Sequence, residues 1–405
     1  MEKNHMLLVW KTQSSNLRVA STRIRCLLPM LLLERIGYTS VILQKNENIE
    51  NYKDCKALIF VKSFSKHDYD LAVNASKNNV TIILDLCDNI FVENYPEANS
   101  SYFNLIANLA ASIVTTNEKL AYLIKVKTSH KKIIVIPDQA EELNNIQEII
   151  RKEKIWAKRK FLVTKNPLIT SLKNKLNLIK DYKWYVKIAY ALFRRLRSYF
   201  IFSGNYIFNF FIEPQIFGVT NVELKRIIWY GNHGASYSNF GMKSLLNIKD
   251  DLEKINKLIP IELLVVSNNR EKFEDCISQF KLKTSYKNWD ALSIFNDIKN
   301  SDVTVIPNMG DEFSVYKSPN RAILSLSLGT PVVASSLNLN KELCNCIYVD
   351  NFYEGILAYL TNPIKVASDQ KKAKFIIKNR YSSIQVERLW SALLESLILP
   401  VNLEF

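Results

Sequence analysis

The sequence predicts an α/β protein built from two doubly wound parallel sheets. Short apolar runs alternate with helical segments over residues 6–138, and the same alternation returns over residues 226–335. Such an alternation is typical of βα units, in which helices cover both faces of a parallel sheet. At 405 residues the chain is also too long for one ordinary hydrophobic core. We therefore expect two domains of one fold class with an insertion between them.

The first predicted domain covers residues 1–145. Its predicted strands are the apolar runs at 6–10, 57–61, 80–84, 112–116 and 133–136. Predicted helices lie between them, and the first, at 21–35, has Ser and Thr at its start and Gly37 after its end, which are ordinary cap residues. Ligands of open α/β sheets lie at the carboxyl ends of the strands, so the polar residues there are site candidates.

Two carboxylates, Asp85 and Asp88, follow the predicted strand at 80–84. Carboxylates at a strand end can serve as a catalytic base or bind sugar hydroxyls. Simple capping of the next turn by Asp88 is an equally good interpretation. Arg23 and Arg25, at the start of the first helix, could reach an anionic ligand or could simply be solvated.

The predicted insertion, residues 146–220, carries most of the net charge. Residues 151–200 contain fifteen Lys and Arg against two acids, a net of +13, so the total of +15 leaves 15 − 13 = +2 for the rest of the chain. A basic amphipathic helix followed by an uncharged, aromatic-rich stretch at 198–212 is typical of a segment in a membrane interface. The alternative is a helical insertion packed on the protein. We expect residues 151–218 to bind an anionic membrane surface, and such localised charge argues against a nucleic-acid partner.

Cysteine and histidine usage indicates neither disulfides nor a metal site. The six cysteines are scattered and the four histidines are far apart in the sequence, which predicts unpaired thiols in a reducing compartment and no metal. The N-terminal apolar run is too short for a secretory signal, and no run reaches the roughly 20 apolar residues of a transmembrane helix. We therefore expect a cytoplasmic protein held peripherally at the inner face of the plasma membrane.

The second predicted domain covers residues 221–380, followed by a C-terminal helix in residues 381–405. Its predicted strands are the apolar runs at 227–230, 261–266, 303–306 and 332–335. Gly231, His233 and Gly234 form a loop after the first of these strands.

The segment from Lys317 to Arg321 is the most informative stretch of this domain. Lys317, Ser318 and Arg321 surround the opening of a short predicted helix, and Pro319 lies where a missing N–H costs nothing. Free helix amides and two cations together favour a bound diphosphate. Gly329 can take the left-handed conformation that ends a helix. An ordinary helix-turn-strand unit of an α/β domain, without a bound ligand, would have the same sequence pattern.

After that helix the sequence from Ser327 to Ala334 reads Ser-Leu-Gly-Thr-Pro-Val-Val-Ala. This turn resembles the nucleotide-sugar-binding segment of GT-B glycosyltransferases. The chain is similar to bacterial GT4-type enzymes most clearly over residues 226–335 and more weakly over residues 6–138, and the resemblance does not cover the basic insertion. The resemblance implies two Rossmann-like domains facing a cleft, with the acceptor on the N-terminal domain and the nucleotide sugar on the C-terminal one. It implies no cofactor beyond the nucleotide-sugar donor.

The resemblance also implies roles for individual residues. Gly231 and Gly234 would let the backbone approach the donor phosphates. The diphosphate would be held, and its developing charge stabilised, by Lys317, Ser318 and Arg321, with Asn320 contacting phosphate or sugar. Apart from the resemblance, Asp85 and Asp88 are the first candidates for a catalytic base because of their position, with His67 and His233 behind them. A lone histidine in a loop could equally be structural or solvated.

The two glutamates of the family, eight positions apart, would fall on Tyr316 and Leu324 and are missing. Two functions therefore stay open. The leading one is a glycosyltransferase that moves a sugar from a nucleotide sugar to a lipid-linked or surface-polysaccharide acceptor, as in lipopolysaccharide or capsule synthesis. The alternative is a catalytically silent GT-B-like protein that binds glycan or acts as a scaffold.

Overall fold

The computed structural model describes residues 6–43, 47–52, 54–93, 95, 100–152, 224–234 and 241–398. Nearly all of the predicted membrane-docking segment, residues 151–218, lies outside these residues, so its role stays a prediction. The domain boundaries taken from the sequence also stay predictions.

The first sheet is parallel and six-stranded, with the spatial order β2-β1-β3-β4-β5-β6. Its strands are β1 (Leu7–Thr12), β2 (Thr39–Ile42), β3 (Cys55–Val61), β4 (Thr81–Leu86), β5 (Ser112–Thr115) and β6 (Ile133–Val135). Helix α1 joins three consecutive segments, Ala20–Thr22, the π-helical Arg23–Leu27, and Leu28–Arg35. The other helices are α2 (Lys66–Lys77), α3 (Ser100–Ala107), α4 (Glu118–Thr128) and the helical residues 143–152, called α5. This sheet and its helices form the first lobe.

The second sheet is also parallel and six-stranded, in the order β12-β11-β10-β7-β8-β9. Its strands are β7 (Lys225–Tyr230), β8 (Ile261–Ser267), β9 (Lys283–Asn288), β10 (Val303–Ile306), β11 (Val332–Ala334) and β12 (Tyr348–Val349). Its helices are α6 (Lys249–Leu258), α7 (Arg270–Ile277), α8 (Ser293–Lys299), α9 (Asn320–Ser327), α10 (Lys341–Cys344), α11 (Phe352–Thr361) and α12 (Pro363–Ile376). This sheet and these helices form the second lobe. The last helix, α13 (Ser383–Ile398), follows a π-helical turn at Ile377–Tyr381.

Local sequence explains where the elements begin and end. The interior strand β8 has seven buried residues in a row, because helices cover both faces of a parallel sheet. Ser65 and Asp68 form a reciprocal capping box at the start of α2. Gly329, with φ at +88°, ends α9 as predicted. All six cysteines are unpaired, also as predicted.

The structure differs from the sequence prediction at a few elements, and the differences have physical reasons. Strand β9 reads Lys-Thr-Ser-Tyr-Lys-Asn and has no apolar run, because it lies at the edge of its sheet. The predicted helix at 242–257 begins instead as a 3₁₀ segment, Met242–Ile248, before α6. Strand β4 continues to Leu86, so Asp85 lies inside the strand and not after it.

Helix α13 packs against the first lobe although it follows the second in sequence. The rings of Trp10 in β1 and Trp390 in α13 meet edge to face with centroids 5.5 Å apart, and both side chains are fully buried. Nearby, the amide of Ala140 donates a 2.7 Å hydrogen bond to the carbonyl oxygen of Tyr381. The C-terminal part of the chain thus belongs to the hydrophobic core of the first lobe. Among the helices that the structure describes, none has both the length and the apolar character needed to cross a bilayer.

This packing predicts a large cost for removing the Trp390 ring. We expect Trp390→Ala to lower the free energy of unfolding by about 3–5 kcal/mol, since it leaves a ring-sized cavity between α13 and β1. Ile384→Ala is the matched control on the same helix, because Ile384 is 70% exposed, and its effect should stay within about 0.5 kcal/mol. Urea titrations followed by circular dichroism measure both, and similar values for the two variants would contradict the packing role.

Candidate functional site

Both sheets reverse their strand order at a point where polar residues gather. In the first sheet the reversal lies between β1 and β3, and in the second it lies between β7 and β10. Ligands of doubly wound sheets bind outside the carboxyl ends of the strands at such switch points. Lys62 follows β3, Gly231 follows β7, and Asn308 lies just beyond β10. These ends define the candidate site.

Arg321 spans the switch point of the second sheet from the first turn of α9. Its guanidinium donates to the carbonyl oxygen of Tyr230 at 3.3 Å and to Oδ1 of Asn308 at 3.1 Å, so it contacts the ends of both β7 and β10. Gly231 makes room for it, because a Cβ at that position would lie 3.3 Å from Nη1 of Arg321. The cation is therefore held in place by the backbone that surrounds it.

Lys317 and Pro319 lie directly before α9. Pro319 is the residue just before the first helical turn, where its missing N–H leaves no helical hydrogen bond unmade, and the amides of the first turn of α9 follow it. The Lys317 ammonium lies 4.5 Å from the centroid of the Phe313 ring. Burial lowers the pKa of Lys317 to about 8, and the positive charges of Arg321 and Lys62 act in the same direction while Asp88 opposes them. The site therefore concentrates positive charge.

Asp88 is the carboxylate that faces these cations. Its Oδ2 accepts a 2.7 Å hydrogen bond from Nζ of Lys62, a buried lysine with a left-handed backbone (φ +49°) that is uncommon for this residue type. Burial by itself would raise the pKa of Asp88, but the charges of Lys62 and Lys317 outweigh it and the pKa is lowered. A carboxylate that is this readily ionised is a weak base but a good acceptor for hydroxyl groups.

Asp85 lies beneath the site and not in it. It is fully buried in β4, and its two carboxylate oxygens accept hydrogen bonds of 3.0 and 2.8 Å from the Arg25 guanidinium. Burial raises the pKa of Asp85 to about 6 in spite of the charge of Arg25. No exposed surface is left where an acceptor could approach. This environment favours a structural role for Asp85 over the predicted catalytic one.

The same guanidinium reaches the end of β6. Nη1 of Arg25 donates to the carbonyl oxygen of Ile136 at 2.8 Å and to Oδ1 of Asp138 at 3.1 Å. The Ser318 hydroxyl of the second lobe also acts on the Asp138 carboxylate and lowers its pKa, against the larger effect of burial. Ser318, predicted as a phosphate ligand, therefore interacts with the first lobe, and Asn320, predicted to contact phosphate or sugar, is the first residue of α9. Both of these ligand-binding roles stay predictions. The sequence contains Asp138 at a strand end, but nothing in it indicates a partner so distant along the chain.

Arg23 is neither solvated nor directed at a ligand. Its side chain is buried, forms a bidentate ion pair with Glu141, and lies 4.7 Å from the Trp289 ring of the second lobe. Both interpretations offered by the sequence are therefore wrong for Arg23 in this structure.

The glycine loop after β7 is held by two contacts. Nδ1 of His233 lies 2.8 Å from Oδ1 of Asn268, which follows β8, and the amide of Gly234 donates to Oδ1 of Asn232 at 3.0 Å. Gly241 packs against Gly234 so closely that a Cβ on it would lie 2.5 Å from the Gly234 nitrogen. His233 is thus positioned by a neighbouring loop, and its catalytic role stays a prediction. The other candidate, His67, is in the first turn of α2.

The segment before α9 is bound by the first lobe. Nδ2 of Asn89 donates to the carbonyl oxygen of Glu312 at 3.1 Å, and Nδ2 of Asn117 donates to that of Tyr316 at 2.9 Å. The rings of Tyr95 and Phe313 stack with centroids 5.6 Å apart. These contacts bring Asp88 and Lys62 of one lobe next to Lys317 of the other. Within the described residues no cluster of His, Cys, Asp and Glu could hold a metal ion.

No protein-family model matches the sequence, and no curated protein does either. Solved structures match the fold. The crystal structure of Anabaena Alr3699/HepE in complex with UDP gives a TM-score of 0.56 at 11% identity, covering 97% of this chain and 100% of that one. Trehalose-6-phosphate from E. coli bound with UDP-2-fluoro glucose gives 0.54 at 10% identity, covering 98% and 99%. The S. aureus MnaA–UDP co-structure gives 0.50 at 12% identity, covering 98% of each chain.

These full-length matches decide the architecture. The chain has the GT-B fold. The predicted fold class is thereby confirmed: both sheets of this GT-B protein are Rossmann-like, and the second has the strand order of the dinucleotide-binding fold. At identities of 10–12% the likeness concerns the fold, so membership of the GT4-type enzymes stays a prediction.

The cluster around Arg25 predicts a severe effect of its removal. Arg25→Met should lower the free energy of unfolding by about 3–5 kcal/mol, because Asp85 and Asp138 would stay buried without their cation. Arg35→Met is the matched control, since Arg35 on the same helix pairs with Glu148 near the surface, and should cost at most about 1 kcal/mol. Equal midpoints of urea denaturation for the two variants would contradict this account.

Proposed function

We propose that this GT-B protein is a glycosyltransferase that moves a sugar from a nucleotide-sugar donor to a lipid-linked or surface-polysaccharide acceptor. The observation that carries the proposal is the pair of cations at the start of α9, with Arg321 fixed against the ends of β7 and β10. A diphosphate is the ligand that best matches two fixed cations and free helix amides at a switch point.

The same geometry suits the chemistry of transfer. As the bond between the sugar and the diphosphate breaks, negative charge grows on the phosphate oxygens of the leaving group. Lys317 and Arg321 would stabilise that charge with little reorganisation, because both are already held in a partly buried site. Asp88, ionised and next to Lys317, is the first-lobe group suited to orient a hydroxyl of the sugar or of the acceptor. Transfer with retention of configuration would need no protein base.

The three structures compared above support a uridine nucleotide as the first donor to test, since UDP or a UDP-sugar is bound in each of them. The acceptor rests on the composition of residues 151–218, whose charge and aromatic content suit a membrane-bound glycan. Lipid-linked intermediates of lipopolysaccharide or capsule synthesis are the acceptors of that class, and a peripheral location at the inner face of the plasma membrane belongs to the same proposal.

A catalytically silent scaffold is the second candidate, and two side chains favour it. Leu324 is buried in the hydrophobic core and Tyr316 packs against the core of the first lobe, so the positions of the family's two glutamates have structural roles here. Calorimetry with UDP-, GDP- and CMP-sugars separates the candidates. Absence of binding by every donor favours the scaffold, and binding followed by release of the nucleotide favours the enzyme.

We expect Lys317→Ala and Arg321→Ala each to weaken UDP binding at neutral pH by roughly tenfold to a hundredfold, because each removes a charge-assisted hydrogen bond to phosphate. Arg380→Ala is the control in the same lobe, since Arg380 pairs with Glu342 on α10, and it should bind UDP like the wild type. Calorimetry measures all three. Wild-type affinity in both site variants would exclude the proposed phosphate site.

UDP affinity should also depend on pH through Lys317. Only the protonated amine attracts phosphate, and a bound diphosphate raises the pKa of Lys317 above its value of about 8 in the free protein. UDP affinity is therefore highest below about pH 8, where Lys317 is protonated, and it falls as the pH rises above that value. We expect weaker binding at about pH 9.5 than at about pH 7.5, with proton uptake on binding, and loss of this dependence in Lys317→Arg, which does not titrate in this range. An equal dependence in both proteins would assign it to another group.

A further inference from the structure

Helix α4 of the first lobe exposes large apolar side chains on its outer side. Tyr122 is 73% exposed and Val126 is 60% exposed, and they lie four residues apart, so they share one face of the helix. The opposite side buries Leu120 and Ile124 completely in the core of the first lobe. Helix α4 thus packs into the core on one side and exposes an aromatic and an aliphatic side chain to solvent on the other.

Four exposed lysines lie on α4 or just after its end. The exposed lysines are Lys119, Lys125, Lys127 and Lys131. With Tyr122 and Val126 they form what we call the Tyr122 surface. Glu118 is the single acid between residues 118 and 131. Within the described part of the chain, no ion pair engages the last three of these lysines.

The Tyr122 surface begins at the candidate site. Asn117 caps α4 and also donates to the carbonyl oxygen of Tyr316, the residue before Lys317. Two residues later, Nζ of Lys119 donates to the carbonyl oxygen of Leu337 in the second lobe at 3.0 Å. A membrane or macromolecule that contacts the outer face of α4 would therefore lie beside the opening between the lobes.

We propose that the Tyr122 surface docks the protein on a bilayer that contains anionic lipid. Tyrosine suits the headgroup region because its ring is apolar and its hydroxyl is polar, and Val126 would enter the acyl boundary. Lys125, Lys127 and Lys131 would contact the anionic headgroups. This inference rests on the proposed function, because a docked α4 brings the site to a lipid-linked acceptor. It concerns residues separate from the predicted docking segment at 151–218.

The composition of the surface favours a bilayer over a protein partner. Protein interfaces are depleted in lysine at their centres, where aromatic residues and arginine are preferred. Helices that lie in a membrane interface instead combine a few apolar side chains with many flanking lysines. The Tyr122 surface has the second composition.

The test uses the full chain and sedimentation with vesicles of phosphatidylcholine containing about one third phosphatidylglycerol. Each lysine near an anionic surface contributes about fivefold to partitioning, equivalent to about 1 kcal/mol. We expect the double variant Lys125→Glu, Lys127→Glu to lower partitioning by more than tenfold. The double variant Tyr122→Ser, Val126→Ser should lower it several-fold on the same vesicles.

The matched control is the double variant Lys374→Glu, Lys378→Glu. These exposed lysines flank Phe375, which is 70% exposed in the second lobe. The control therefore changes lysines beside an exposed apolar side chain that lies away from α4. The control should sediment like the wild type. The proposal is overturned if the wild-type chain fails to sediment with anionic vesicles, if the α4 variants sediment like the wild type, or if the control loses as much partitioning as they do.

UDP calorimetry on the same variants separates this inference from the proposed function. The α4 variants should bind UDP like the wild type, which also shows that they are folded. Loss of vesicle partitioning with UDP binding retained supports the docking surface, and vesicle partitioning unaffected by these changes overturns it whether or not UDP binds. Absence of UDP binding by the wild type would count against the proposed function alone.

Discussion

The buried guanidinium of Arg25 is the interaction on which the geometry of the site depends. It joins Asp85 inside β4 to Asp138 and the carbonyl oxygen of Ile136 after β6. Burying three charges is unfavourable unless each is paired and hydrogen-bonded, and here one arrangement satisfies them. The ends of β4 and β6 are thereby held in a defined position relative to each other.

Above this cluster, the opening between the lobes has an excess of positive charge. Lys62, Lys317 and Arg321 gather around Asp88, and Asp311 also acts on Lys317, so three cations face two carboxylates. Bringing like charges together in a partly buried place is unfavourable in the free protein, and it becomes favourable when an anion binds. The excess positive charge and the amides at the start of α9 both favour an anionic ligand. The proposed diphosphate therefore matches this site better than a neutral glycan does.

The asparagines at the strand ends explain how two lobes of one fold make a single site. Asn89 follows β4 and Asn117 follows β5, and both donate to backbone oxygens of the segment that precedes α9. Their amides satisfy carbonyl groups that a loop would otherwise expose. Helix α13, which follows the second lobe in the sequence, packs on the first lobe through Trp390.

The sequence alone determined the fold class, most strands of both sheets, and the cation pair Lys317 and Arg321, because these depend on local periodicity and on cap and turn residues near each other in the chain. It could not locate β9, whose edge position needs no apolar run, nor separate Asp85 from Asp88, which lie three residues apart. Only the tertiary structure decided that Asp85, Arg23 and Ser318 have partners elsewhere in the protein. The reason is physical: the role of a charged or hydroxyl side chain depends on burial and on partners more than 50 residues away, and neither is encoded in the spacing of its neighbours.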